Sequence, residues 1–129
     1  MDELDYKIID LLRENSRKSN MEIARKFNIS EGTVRKRIFN MVNSGIIKKF
    51  TVETSIYIEG IVLIKLDSRH ATETLKVLKA IYADIYEFSG SIDVAVRIIR
   101  STIDDLNREV DKIRDLSGVI NTDTMIRLK

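Results

Sequence analysis

Residues 19–47 read SNMEIARKFNISEGTVRKRIFNMVNSGII, and this stretch decides the fold of the N-terminal part of the chain. Ser19 is followed three residues later by Glu22, a capping box that predicts the start of a short helix. After a three-residue turn, Ser30 is a good N-cap for another helix, which we expect to end near Asn43. Two helices joined by so short a turn form a helix-turn-helix unit.

The flanking residues extend this unit to a small domain. Residues 2–14 carry apolar side chains at helical spacing, with acidic groups in the first turn, where the helix dipole favours them. Gly45 stands where a helix ends in a left-handed residue, and residues 46–52 have the apolar character of a strand. The sequence therefore predicts a winged helix-turn-helix domain, three helices plus a short wing, over residues 1–52.

The second helix of such a pair lies in the DNA major groove, so its outward face carries the candidate contacts. The buried stripe is predicted to contain Val34 and Ile38, together with Met41 and Val42. Arg37 lies near the buried edge, and we expect it to pair with an acid or a backbone carbonyl. The predicted DNA-binding residues are Ser30, Gly32, Thr33, Arg35, Lys36, Asn40, Lys48 and Lys49.

Each type of side chain on that face has its own chemistry. Thr33 suits a thymine methyl or a phosphate, and Arg35 or Lys36 suits guanine edges. Gly32 allows the helix end to approach the groove closely, whereas Lys48 and Lys49 suit phosphates. Residues 17–49 hold nine basic groups against two acidic ones, an excess that attracts a phosphate backbone. The alternative is a basic face that is merely solvated.

The C-terminal part, residues 53–129, has a different pattern. Short apolar or alternating segments predict strands, and segments with apolar residues at helical spacing predict helices, in the order β-α-β-β-α-β. The predicted strands are 61–67, 84–89, 93–100 and 119–128, and the predicted helices are 71–82 and 102–117, the second ended by Gly118. This order gives a ferredoxin-like antiparallel sheet with both helices on one face, and makes the whole chain α+β.

The other face of that sheet is predicted to be bare in a single chain. Ile, Val and Tyr occur on both faces of the strands, so an uncovered face would be an unusually large apolar patch. We expect a second copy of the chain to cover it. A homodimer also presents two reading helices, which bind two DNA half-sites about one turn apart or a multiple of that.

Three motifs in the N-terminal part resemble the leucine-responsive/asparagine-type (Lrp/AsnC) transcription regulators. They are Leu4-Asp5-x-x-Ile8-x-x-x-Leu12, Asn28-Ile29-Ser30-x-x-x-Val34-x-x-Arg37-Ile38 and Gly45-Ile46-Ile47. The likeness extends over nearly the whole chain, which resembles a short, archaeal-type member. It implies a regulator of transcription whose C-terminal domain dimerises, assembles further into tetramers or octamers, and binds a small effector, usually an amino acid.

The resemblance also implies where that effector binds. Two marks of the family flank its pocket: a Gly-x-x-Asp loop, present as Gly90-Ser91-Ile92-Asp93, and a Thr-x-Thr segment, present as Thr122-Asp123-Thr124. Turn N–H groups suit an α-carboxylate, and a carboxylate suits an α-amine. The alternative for the loop is an ordinary hairpin turn in which glycine supplies a positive φ.

Composition narrows the function classes. The chain has no Cys and one His (His70), which argues against a thiolate or histidine metal site and against the usual nucleophilic triads. We therefore expect no enzyme, no metal and no cofactor. No apolar run is long enough to span a bilayer and the N-terminus is acidic, so a cytoplasmic protein without a membrane partner is expected. The leading function is an effector-modulated DNA-binding regulator, and the alternative is an effector-independent architectural DNA-binding protein.

Overall fold

The computed structural model describes residues 1–128 and divides into two compact units, residues 1–53 and the remainder of the chain from Thr54. The first unit contains three helices: α1 (Glu3–Glu14), α2 (Asn20–Phe27) and α3 (Glu31–Asn43). None of the helices in the described part of the chain combines the length and hydropathy that a bilayer crossing requires.

Local capping explains where these three helices begin. The side chains of Asp2, Ser19 and Ser30 each accept a hydrogen bond from the backbone N–H three residues later. These bonds satisfy donors that the first turn of a helix leaves without a partner. Apolar residues from all three helices then form one core, whose fully or nearly buried members are Ile8, Ile23, Ala24, Val34 and Met41.

The turn between α2 and α3 depends on a left-handed residue. Asn28 has a φ of 54°, a conformation that Asn tolerates better than most residues. The next N–H, that of Ile29, donates to the carbonyl of Ala24 at 3.0 Å, which closes the end of α2. Ala24 is buried and small, so α3 can pack closely against α2.

The predicted wing strand over residues 46–52 is wrong. Gly45 ends α3 with a φ of 79°, as predicted, but the described residues contain no strand between α3 and Ile58. The Ile47 N–H donates back to the Met41 carbonyl at 3.0 Å, and residues 48–57 are exposed. An apolar, extended segment forms a strand only where another strand pairs with it, and the first unit offers none in this single chain. Val42, predicted to be buried, is also exposed.

The second unit is a four-stranded sheet with two helices. Its elements are β1 (Ile58–Leu66), α4 (Ala71–Ile81), β2 (Ile85–Glu87), β3 (Val94–Arg100), α5 (Ile103–Arg114) and β4 (Val119–Ile126). The strands lie in the order β2-β3-β1-β4, and every neighbouring pair is antiparallel. The predicted α+β class and ferredoxin-like β-α-β-β-α-β order are therefore confirmed.

Alternate strand residues and one stripe of each helix form the core of this unit. Its buried members are Val62, Ile64, Leu66, Leu78, Tyr82, Val94, Val96, Ile98, Leu106, Val110 and Ile113. The helical spacing of apolar residues in α4 and α5 predicts that Ile81 and Ile103 join this core, but they are exposed, by 58% and 43%. Ile81 lies at the last turn of α4, on the edge of its inward stripe, and Ile103 is the first residue of α5.

The opposite face of the sheet carries no helix and is mixed in character. Its apolar members on the two central strands include Ile61, Leu63 and Ile99, which alternate with the core residues of those strands. Beside them, Arg97 pairs with Glu59 and, at 3.1 Å, with Asp84 Oδ2. The sequence pattern did not predict this ion network, because its members are distant in sequence and meet only through strand register.

Gly118 does not end α5, which stops at Arg114; it lies immediately before β4, where the chain passes close to α4. A Cβ at this position would lie 1.8 Å from Thr74 Oγ1 and 2.9 Å from Thr74 Cβ. Thr74 is itself buried, so its hydroxyl has little room to move. Glycine is therefore required here by the close approach of backbone to helix.

We predict that Gly118→Ala lowers the free energy of unfolding by about 1–3 kcal/mol, the usual cost of overpacking a filled core. Thr74→Ala in the same chain removes the 1.8 Å clash and should restore part of the loss. Gly32→Ala is the matched control, because its Cβ would meet its nearest neighbour, an Arg35 nitrogen, at an ordinary 3.6 Å. Urea unfolding measures all three, and a Gly118→Ala protein as stable as the wild type would contradict this explanation.

Candidate nucleic-acid interface and ligand cavity

The start of α3 is built around two hydroxyl groups. Ser30 Oγ accepts the Thr33 N–H at 3.1 Å and lies 2.8 Å from Thr33 Oγ1. Both predicted DNA contacts are therefore engaged in capping the helix, and Thr33 is half-buried. This cap fixes the end of the helix that a helix-turn-helix presents to base edges.

Arg37 anchors the inward side of α3. Its Nη1 donates to Asp2 Oδ2 at 2.5 Å and to Asp5 Oδ1 at 3.3 Å, both at the N-terminus of α1. The predicted pairing of Arg37 with an acid is therefore confirmed. The bond from Arg37, with a backbone N–H from Asp5, holds the pKa of the Asp2 carboxyl below its usual range.

The outward side of α3 is polar and accessible. Arg35, Lys36 and Asn40 are all exposed there. Arg35 Nη1 lies 2.9 Å from Glu31 Oε2, one helical turn earlier, whereas Lys36 has no ion-pair partner among residues 1–128. Lys48 and Lys49 are likewise exposed, in the irregular segment after α3. Gly32 has ordinary space around it, so steric crowding within the chain does not require glycine there.

Further cations on this unit were not singled out from the sequence. Arg25 and Lys26 are exposed in the last turn of α2, and Arg17 is exposed in the loop before it. They had been counted in the basic excess of residues 17–49, but a charge count does not say which groups share a face. Phe39, an exposed aromatic residue on α3, was also missed. Its position five residues after the buried Val34 places it on the outward side of α3, and the sequence alone gives that spacing.

The second unit contains a cavity of about 580 Å³ at the end of β1. It lies between the β1–α4 loop, the first turns of α4 and the ends of the neighbouring strands. The lining residues are Lys65, Leu66, Asp67, Ser68, Ala71, Thr72, Leu75, Glu87, Phe88, Asp93, Val94 and Ile120. Its volume is in the range of small-molecule sites.

Asp93 is the one residue of the predicted effector loop that lines this cavity. Its Oδ2 accepts the Leu66 N–H at 2.8 Å and lies 3.5 Å from Lys65 Nζ. The pairing of β1 with β4 shifts register between these same two residues, and Asp93 accepts the Leu66 N–H from the β3 side of β1. The bond from the Leu66 N–H is the main cause of a lowered pKa at Asp93.

The other predicted effector residues lie apart from this cavity. Gly90, with a φ of 150°, belongs with Ser91 and Ile92 to the open turn between β2 and β3. The hydroxyl of Thr122 accepts a hydrogen bond from Arg114 Nε at 2.9 Å. The hydroxyl of Thr124 is buried and has no hydrogen-bond partner among the described residues. Asp123 is exposed on β4.

Strand order explains why the two predicted segments do not meet. β1 lies between β3 and β4, and its Ile64 pairs with Val94 on one side and with Thr122 on the other. At about 4.8 Å per strand, the loop and the Thr-x-Thr segment are about 10 Å apart across the sheet. One chain therefore does not bring them together around a single pocket.

Comparison with known proteins agrees with this architecture. A family model described as winged helix-turn-helix DNA-binding matches residues 1–48. Over its full length the chain is 34% identical to the HTH-type transcriptional regulator LysM of Sulfurisphaera tokodaii, of which it covers 96%. The chain belongs to the Lrp/AsnC family. It is a DNA-binding transcription regulator, as predicted, and the relatives it resembles are regulators rather than enzymes.

Solved structures of transcription regulators share the fold of the whole chain. E. coli AsnC is 25% identical, with a TM-score of 0.73 over 100% of this chain and 93% of AsnC. The transcriptional regulator NMB0573 from Neisseria meningitidis, solved as a complex with L-Met, is 18% identical. Its TM-score is 0.77, over 100% of this chain and 90% of that one.

The anchor of α3 predicts a pH effect. Because the folded-state pKa of Asp2 is lowered, its stabilising contribution is present above the unfolded-state pKa and is lost as pH falls through the folded-state value. Arg37→Met should raise the Asp2 pKa towards its ordinary value, and should destabilise the first unit more at neutral pH than in acid. Carboxyl NMR titration and urea unfolding at both pH values measure these effects.

Arg35→Met is the matched control for that experiment, since Arg35 pairs with Glu31 instead. It should leave the Asp2 titration where it is in the wild type. The same Asp2 pKa in the wild type and in Arg37→Met would show that the pair between the helices does not form in solution.

Proposed function

We propose that this Lrp/AsnC protein binds double-stranded DNA in a sequence-specific manner, as a homodimer, through the outward face of α3. The observation that carries the proposal is the division of α3 into two sides. Arg37 on one side is held by the start of α1, while Arg35, Lys36 and Asn40 on the other side are exposed. A helix fixed on one side presents the opposite side at a defined angle, which base reading requires.

The exposed residues divide into two roles. Lys36 and Arg35 are placed to read guanine edges, and the amide of Asn40 has the donor and acceptor that match an adenine edge. Lys48 and Lys49 follow the helix and are suited to the phosphates, which set the position of the protein on DNA but carry no sequence information. Ser30, Gly32 and Thr33 then shape the end of α3 that enters the groove.

A second copy of the chain supplies the other half-site. The open face of the sheet carries exposed Ile61, Ile99, Tyr86 and Met125, which a single chain leaves in water. Stacking the same face of two chains buries these groups and keeps a two-fold axis, as most homodimers do. Tetramers or octamers built from such dimers belong to the same proposal.

We predict that Lys36→Ala weakens binding to DNA selected by the wild-type protein from a random pool by about 1–3 kcal/mol, with a smaller loss on random DNA. Arg35→Ala should act in the same direction. Lys76→Ala, another exposed lysine but on α4 of the second unit, is the matched control and should bind both DNAs like the wild type. Fluorescence anisotropy at fixed salt measures each dissociation constant, because salt changes them strongly.

Equal losses on selected and random DNA would make Lys36 a phosphate contact. Failure of the wild type to enrich any sequence would favour the alternative function, an architectural protein that coats DNA. The first result would contradict base reading by Lys36, and the second would contradict the assignment of α3 as a base-reading helix.

We further propose that a small amino acid binds in the cavity at the end of β1 and modulates assembly or DNA affinity. The cavity wall includes the ammonium group of Lys65, which suits an α-carboxylate. It also includes the carboxylates of Asp67 and Glu87, which suit an α-ammonium and in the free chain pair with Arg69 and Lys79. Hydroxyls of Ser68 and Thr72 add neutral donors and acceptors. The L-Met complex of NMB0573 supports the idea that this fold accommodates such a ligand.

Of the predicted effector residues, only Asp93 lines this cavity. Asp93 lies at the cavity but is engaged with Leu66 and Lys65, so its role there is to hold the wall in place. The turn at 90–92 and the segment at 122–124 contribute to an effector site only if a neighbouring subunit brings its own residues to them. The effector shifts the assembly equilibrium only as far as its affinities for the two states differ.

We predict that Thr72→Phe abolishes effector binding, because Thr72 lines the cavity and a phenyl ring there takes up its volume. Glu73→Phe, one position along α4 and outside the cavity, is the matched control. Thermal unfolding against the common amino acids measures binding, since a ligand at about a hundred times its dissociation constant adds about 2.7 kcal/mol to the folded state. A shift that persists in Thr72→Phe would place the site elsewhere, and no shift in the wild type would contradict an amino-acid effector.

A further inference from the structure

One large apolar side chain stands on the polar side of α3. Phe39 is 62% exposed and belongs to neither core cluster. It follows the buried Val34 by five residues, which at 3.6 residues per turn places it about 140° around the helix from the core. Lys36 and Asn43, both exposed, share that side of the helix with it.

The fold of the first unit does not require a phenylalanine at this position. The ring contributes nothing to the buried set around Val34, and Phe has a lower intrinsic helix propensity than Ala. Around α3 the ring lies between the exposed side chains of Arg35 and Lys36, so a polyanion that binds these cations also covers the ring. The surface around it is the one proposed to enter the major groove.

The major groove offers one apolar group, the C5-methyl of thymine, and phenylalanine is among the side chains that contact it. A methyl group makes no hydrogen bonds. The exposed Lys36 and Asn40 of the same helix supply the groups that bond to the polar base edges. We infer that Phe39 packs on a thymine methyl and specifies an A·T pair at one position of each half-site. This inference rests on the proposed reading of DNA by α3.

Deoxyuridine provides the test, because it differs from thymidine by the methyl group alone. Thymines in a site selected by the wild-type protein from a random pool are replaced one at a time, and binding of the wild type and of Phe39→Ala is compared by anisotropy. At one thymine per half-site, removal of the methyl group should raise the dissociation constant of the wild-type protein about fourfold, which is the effect of burying one methyl-sized group. The same replacement should leave Phe39→Ala unchanged.

Two controls separate this result from a folding defect. Phe39→Ala should unfold at the wild-type urea concentration, since the ring is not part of the core. Val77→Ala, an exposed apolar residue on α4, should keep the full response to deoxyuridine.

Two results would overturn the inference, and they are distinguishable from failure of the proposed function. If the wild type selects a site but no deoxyuridine weakens it, or if every replacement weakens Phe39→Ala as much as the wild type, Phe39 does not read a methyl group. If the wild type selects no site at all, base reading by α3 fails, and the inference fails with it.

Discussion

The pairing of Arg37 with Asp2 and Asp5 joins α3 to the start of α1, beside the core contacts of Val34 and Met41. One guanidinium on α3 donates to two carboxylates at the start of α1, and one of those carboxylates also caps α1. An isolated surface ion pair contributes little to stability. Here the Asp5 side chain is largely buried, at 14% exposure, and Arg37 is half-buried, so solvent screens this pair less than the pair of Arg37 with the more exposed Asp2. The buried Val34 and Met41 define the inward side of α3 together with this contact, and every proposed DNA contact depends on which side remains outward.

In the second unit a carboxylate also fixes the backbone, at the end of β1. The Asp93 carboxylate accepts the Leu66 N–H where the β1–β4 ladder changes register, and this bond holds the wall of the cavity. Nearby, the absence of a side chain at Gly118 lets the start of β4 pass against Thr74. Both features adjust the backbone at the carboxyl end of β1. The cavity is therefore a consequence of how β1 ends. Ser68 and Thr72 line it without taking part in either of these two contacts.

Sequence reasoning succeeded where the determinants are local. Ser19 and Ser30 cap helices through bonds that span three residues, and Gly45 ends α3 through its own φ, so the pattern of neighbouring residues contains the answer. It failed at residues 46–52, because a strand needs a partner that the local pattern does not reveal. The alternation of core residues on the central strands predicted the sheet correctly, since both neighbours of each strand lie in the same unit.

The candidate sites show the same division. The outward residues of α3 follow from helix geometry, and the structure leaves Arg35, Lys36 and Asn40 exposed as that geometry predicts. The effector residues came from resemblance in two separate segments, and strand order places those segments on opposite sides of β1. The engagement of Asp93 with a backbone N–H at a register shift has no signature in sequence spacing. Lys65, Ser68 and Thr72 likewise line one cavity only because the fold brings the end of β1, the β1–α4 loop and α4 together.

The most direct measurement of α3 as the DNA-reading element is photo-crosslinking from a single position. A benzophenone amino acid is placed at position 36, with position 76 on α4 as the reference, and each protein is irradiated on DNA selected by the wild type. Crosslinks from position 36 to bases within the selected motif, and none from position 76, are expected. Equal crosslinking from both positions, or crosslinks from position 36 that ignore the motif, would contradict the reading of DNA by α3.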